Sequence, residues 1–187
     1  MECGGLPLLA WPAICVLDRF LEHQMNVFEW GSGGSTVFLA RRVAHLTSIE
    51  HDPVWFQKTK KSLERNALRC NLLLRPPIQT DPPYSGDDKS TVKLYKGLSF
   101  HNYVGAIDCA PDESFHAIIV DGRARKPCLK HACPKLVKGG LLVLDNADRG
   151  EYKDGMTMIE WPVTVFESSL PYHPLDVKVT TAIWKKP

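Results

Sequence analysis

Four short stretches hold residue types that could do chemistry together: Glu29-Trp30-Gly31-Ser32-Gly33-Gly34-Ser35-Thr36, Glu50-His51-Asp52, Asp121-Gly122-Arg123-Ala124-Arg125 and Asp145-Asn146-Ala147-Asp148-Arg149. Each closes a short apolar run. The glycines of the first let the backbone turn sharply and approach a ligand, with N–H groups turned outward where a helix begins. Glu50 lies about 20 residues beyond Gly31, the spacing of a strand-end carboxylate that accepts from two ribose hydroxyls. Glu29, two residues before the first glycine, is misplaced beside an anionic pyrophosphate and suits a ligand carrying an ammonium group. A dinucleotide site also wants a third glycine three residues after the second, and that place is Thr36. The pattern points away from a nicotinamide dinucleotide and toward a methionine-derived cofactor.

The elements that must position these residues alternate between short apolar runs and helical periods, the pattern of βα units and a parallel sheet. Strands are expected at 26–30, 46–50, 70–74, 115–120 and 141–144, followed by two further strand-like runs at 163–167 and 177–184, separated by Pro171-Tyr172-His173-Pro174. Helices are expected at about 11–24, 35–43, 53–68, 100–109 and 126–137, with Asp52 as an N-cap and Pro53 in the first helical position. Lys138-Gly139-Gly140 reads as a helix C-cap turn. The proline-rich stretch at about 75–91 reads as an irregular insertion, the kind of segment that often carries function. In an open parallel sheet the four stretches above converge on the rim beyond the strands' carboxyl ends, where ligands bind.

The chain has 187 residues, 44% of them hydrophobic, and 23 Lys+Arg against 21 Asp+Glu, a net charge of +2. That suits one domain spanning 1–187 and excludes a disordered tail or a polybasic arm. The near-neutral charge argues against a nucleic-acid partner. No apolar run reaches the ~18–20 residues of a membrane span, and Pro7 and Pro12 interrupt the Leu6 to Leu17 run, which lacks a basic flank upstream. Six scattered cysteines without a C-x-x-C pair read as reduced thiols. A cytoplasmic location is the expectation.

Val27 to Thr36 resembles the first motif of class I S-adenosylmethionine-dependent methyltransferases. Glu50 matches the acid that those enzymes carry after strand two. Phe115 to Asp121 is similar to their fourth motif, Lys138 to Leu144 to the G-G-x-L run of strand five, and the trailing strands to their final hairpin. The resemblance implies a Rossmann-like doubly wound α/β sheet of seven strands, mostly parallel, with a C-terminal antiparallel pair. It implies S-adenosyl-L-methionine as cofactor and methyl transfer to a small-molecule acceptor, with oxygen the expected atom. Glu29, Gly31, Ser32, Gly33 and Ser35 would serve the methionine end and Glu50 the ribose. His51 would lie near the adenosine, and Asp121 near the methionine moiety or reacting centre. A non-catalytic cofactor-binding regulatory domain is the alternative from another class, and a nucleotide-dependent oxidoreductase a third.

Asp121, Asp145 and Asn146 are similar to the metal ligands of catechol-type O-methyltransferases, which implies Mg²⁺ or Ca²⁺ and gives Asp121 and Asp145 a catalytic part. Those enzymes carry a lysine base three residues after the first ligand, and here the place is Ala124. Asp145-Asn146 equally suits a turn. Arg123, Arg125 and Arg149 could clamp a carboxylate or phosphate, or pair with nearby acids. Trp55 and His131 read as packing or solvated groups.

Overall fold

A computed structural model describes residues 5–170 and 177–187, so Cys3 and Pro171 to Pro174 lie outside the described residues. The first half runs α1 (Trp11–Phe20), β1 (Asn26–Trp30), α2 (Gly34–Ala40), β2 (His45–Glu50), α3 (Pro53–Arg65), β3 (Asn71–Leu74) and β4 (Ile78–Gln79). The second runs β5 (Leu98–Ser99), α4 (His101–Val104), β6 (Phe115–Val120), α5 (Arg125–Lys135), β7 (Leu136–Asp145), α6 (Lys153–Thr157), β8 (Val163–Ser169) and β9 (Lys178–Lys185).

Seven strands form one sheet in the order β3-β2-β1-β6-β7-β9-β8. Pairing is parallel from β3 to β7, and β9 runs antiparallel to both neighbours, as the sequence predicts. Strand alternation sends Val27, Ala117, Ile119 and Val143 to one face, against Ile14 and Leu17 of α1. Phe28, Trp30, Ile118 and Val120 face the other, with Tyr103 and Leu129. The chain order of the strands reverses between β1 and β6, which makes their carboxyl ends the switch point of the sheet. Asp52 caps α3 as expected, accepting from the N–H groups of Val54 (2.8 Å) and Trp55 (2.9 Å).

Several boundaries differ from the sequence reading. The first helix stops at Phe20, where Leu21 turns extended and its N–H closes on Leu17 O. The third helix ends at Arg65, and the helix expected over 100–109 is one short turn continued as a 3₁₀ turn at Gly105–Ile107. Lys138-Gly139-Gly140 is not a helix cap but part of β7. The pairing slips between Phe115↔Leu136 and Ala117↔Leu141, and Gly139, at φ 76°, lets the surplus residues bulge. The 75–91 insertion contributes β4, which pairs antiparallel with β5, so the irregular segment reaches on to residue 97. Among the described residues no helix is long and apolar enough to cross a membrane.

Candidate functional site

At the switch point the β1 and β6 ends pack backbone to backbone. Gly31 has φ +93°, and a Cβ there would lie 2.5 Å from Gly122 N, so this crossing requires glycine. Around it lies a cleft of about 350 Å³ whose wall includes Gly31, Ser32, Glu50, His51, Tyr95 and Asp121. Five residues of the stretches singled out after β1 and β2, and four of the stretch after β6, thus share one cleft. Gly33, Ser35, Glu29, Asp145 and Asn146 do not line it.

Glu50 is 2% exposed and satisfied by its own chain. Its Oε2 accepts from Ser32 N–H (2.9 Å) and Ser32 Oγ (2.8 Å), and its Oε1 from the N–H groups of His51 (2.7 Å) and Asp52 (2.9 Å). His51 Nδ1 stands 2.8 Å from the same Oε1. Burial alone would raise this carboxyl, but the His51 and Asp52 donors, the His51 charge and the Ser32 donor outweigh it and hold it below the ordinary glutamate value.

Glu29 faces the same side of the sheet, because its register partner is Ser48, two residues before Glu50. Its carboxylate is fully buried. Oε2 accepts from Thr36 Oγ1 and Ser48 Oγ, both at 2.6 Å, while Oε1 is buried without a partner. Thr36 Oγ1 in turn accepts the Gly33 N–H at 2.8 Å. The residue standing where a dinucleotide site wants glycine therefore ties the loop to Glu29. Burial pushes the Glu29 carboxyl up to about 7, against the pull of the Ser35, Ser48 and Thr36 hydroxyls, with Asp121 adding repulsion.

The cleft also includes Tyr95 and Trp55, which sequence reasoning did not place there, and Arg123, which it placed on the rim. Tyr95 OH lies 3.1 Å from His51 Nε2, the two rings meet edge to face at 5.4 Å, and Arg123 lies 6.0 Å over the tyrosine ring. Arg123 Nε is buried without a partner. Trp55 also lines the cleft and donates its indole N–H to Ser32 O. Tyr95 sits in an irregular segment with no periodic pattern to flag it. Trp55 had one signal: it directly follows the capped start of α3.

At the β6–β7 end the expected metal place is taken. Arg125, 4% exposed, donates Nε–H to Gly122 O (3.0 Å), Nη2–H to Asp121 Oδ1 (3.1 Å) and Nη1–H to Asp145 O, with Asp145 Oδ2 at 3.8 Å from Nη1. Burial and then the nearby Asp121 push the Asp145 carboxyl up, against the pull of Arg125. Among the described residues no group of three or more His, Cys, Asp or Glu side chains could hold a metal ion. The donor set of Asp121, Asp145 and Asn146 does not fit Mg²⁺ or Ca²⁺. A three-arginine clamp does not form either, since Arg149 does not line the cleft with Arg123 and Arg125.

No protein-family model matches the chain, and no curated protein matches it in sequence. Solved structures do match in shape. The precorrin 8w decarboxylase of Methanobacterium thermoautotrophicum superposes with a TM-score of 0.62 at 18% identity, covering 97% of this chain and 93% of that one. A Streptococcus mutans protein described as a methyltransferase and solved in complex with SAH gives 0.61 at 15% identity, covering 93% and 96%. The chain has the class I methyltransferase fold. An rRNA methylase from Streptococcus thermophilus gives 0.60 at 14% identity, covering 94% and 95%, so the class I fold is shared by proteins named for quite different substrates.

Proposed function

We propose that the chain transfers a methyl group from S-adenosylmethionine to an oxygen of a small-molecule acceptor. The reading is carried by Glu50, a buried carboxylate kept ionised at the tip of β2 in the wall of the switch-point cleft. An ionised carboxylate only accepts hydrogen bonds, which is what a ribose hydroxyl needs. Ser32 Oγ has Thr59 Oγ1 as a second partner at 3.1 Å, so turning that hydroxyl frees a lone pair of Glu50 Oε2. His51 and Tyr95 take the adenosine side. Gly31 and Ser32 take the methionine end, while Glu29, buried behind the cleft wall, holds the Gly33–Thr36 turn in place.

The bound sulfonium supplies an electrophilic methyl carbon, so the chain's own work is alignment and exclusion of water. Asp121, in the cleft wall, stands by the reacting centre and can receive the acceptor's proton. Asp145 acts through Arg125.

Methyl-labelled S-adenosylmethionine incubated with a panel of hydroxylated small molecules tests the proposal, with an rRNA fragment as a parallel arm. Label in a small molecule is the expected result. Label in the RNA alone overturns the acceptor class, and binding of S-adenosylhomocysteine (SAH) without any turnover replaces the enzyme by a cofactor-binding module. Saturable NAD binding in place of SAH overturns the reading entirely.

A further inference from the structure

Beside the cofactor cleft lies a second cavity of about 630 Å³, between the 84–91 segment, the start of α5 and the 151–158 stretch. Arg125 lines both. An arginine carries five N–H donors, and three of these are committed to Gly122 O, Asp145 O and Asp121 Oδ1. Two remain. The guanidinium carbon also lies 5.4 Å from the ring centre of Tyr152, another lining residue.

The rest of the lining is mixed in sign, with Lys89, Lys126 and Lys130 against Asp87, Asp88 and Glu151. Lys89 and Lys130 have no carboxylate partner among the described residues, whereas the lining acids Asp88 and Glu151 are engaged by His101 (3.1 Å) and the Thr91 hydroxyl (2.9 Å). Arg125 is therefore the cation that tips the balance of the lining. Tyr84, Tyr152 and Met158 supply apolar wall.

We infer that Arg125, in place of a divalent metal ion, is the resident cation between Asp121 and Asp145, and that it meets an acceptor carrying an anionic oxygen group in the 630 Å³ cavity. The acceptor part rests on the function proposed above; the resident-cation part does not. A guanidinium with two spare coplanar donors suits a carboxylate or phenolate, which it can bind without the hydration cost that a metal ion's ligand exchange carries. A metal ion would need the two aspartates free and ionised, and here one carboxylate is bonded to Arg125 and the other is buried beside it.

The test uses the whole chain and three probes: Mn²⁺, benzoate and benzamide, the last sharing the ring but not the charge. Mn²⁺ titration followed by electron paramagnetic resonance is expected to give no saturable binding up to about 1 mM. Calorimetry, with and without SAH, is expected to give benzoate about tenfold tighter than benzamide, with the preference lost in Arg125→Gln. Should that variant fail to fold, the ¹⁵N side-chain resonance of Arg125 in the wild-type chain supplies the readout, expected to move with benzoate and not with benzamide. Saturable Mn²⁺ binding that disappears in Asp121→Asn overturns the resident-cation assignment. Equal binding of the two rings, no binding of either, or a benzoate preference that survives in folded Arg125→Gln overturns the anionic acceptor. SAH affinity is read separately, so a chain that binds no SAH contradicts the proposed function and leaves the Mn²⁺ result to stand or fall alone.

Discussion

The two ends of the rim solve the same physical problem differently. At the β1–β2 end, the buried carboxylate of Glu50 is met by three backbone N–H groups, a hydroxyl and the His51 ring, and stays ionised. Two residues along the same face, Glu29 is met only by hydroxyls at one oxygen, and burial raises it to about 7. At the β6–β7 end, the carboxyls of Asp121 and Asp145 are met by a guanidinium. Burial depth is similar for Glu29, Glu50 and Asp145. At similar depth the donors separate Glu50 from Glu29, whereas at Asp145 burial outweighs the guanidinium.

The comparison can be broken most forcefully at Arg125. Arg125→Met leaves two carboxyls facing each other without their cation, and is expected to cost about 3–5 kcal/mol in urea unfolding. Adding Asp145→Asn should recover part of that loss. If the single variant were as stable as the wild type, the guanidinium would not be holding this end together.

Glu29 gives a smaller effect with a definite sign. Its folded value of about 7 lies above the ordinary 4.5, so the folded chain keeps a proton that the unfolded chain releases. Stability from this group is full below about pH 4.5, falls as pH rises to about 7, and is level beyond. Relative to the wild type, Glu29→Gln should gain on the order of 2–3 kcal/mol between pH 4.5 and 8. Glu50, lowered instead, loses its contribution only as pH falls below its ordinary value. A flat difference between Glu29→Gln and wild type across that range would contradict the assignment.

Tyr95→Phe removes one hydrogen bond to His51 in a half-buried wall. It should cost about 0.5–1 kcal/mol in stability and weaken SAH binding several-fold. An effect on stability alone would place Tyr95 outside the cofactor's reach.

The difference between the two ends also explains what could be read from the sequence. Glu50, the Gly31–Gly34 loop and Asp121 each close an apolar run, so their place on a common rim follows from strand pattern and parallel topology. The Asp52 cap was legible for the same reason, being local. Arg125 was not: its partner Asp145 lies 20 residues away, and nothing in a sequence separates a buried arginine from a surface one. Both aspartates and the arginine are visible in the sequence, but only the fold shows the guanidinium lying between the two carboxyls. Thr36 looked like a missing glycine, although its hydroxyl joins Gly33 to Glu29. Tyr95 lies in the irregular stretch, where neither helical nor strand period marks an inward side chain.

Calorimetric titration of SAH into the wild-type chain and into Glu50→Ala tests the cofactor assignment most directly. Binding of one SAH per chain, weakened at least about tenfold (about 1.4 kcal/mol) in the variant while its fold by circular dichroism is kept, is the expected result. Equal affinity in the two proteins, or no binding to either, would contradict the account.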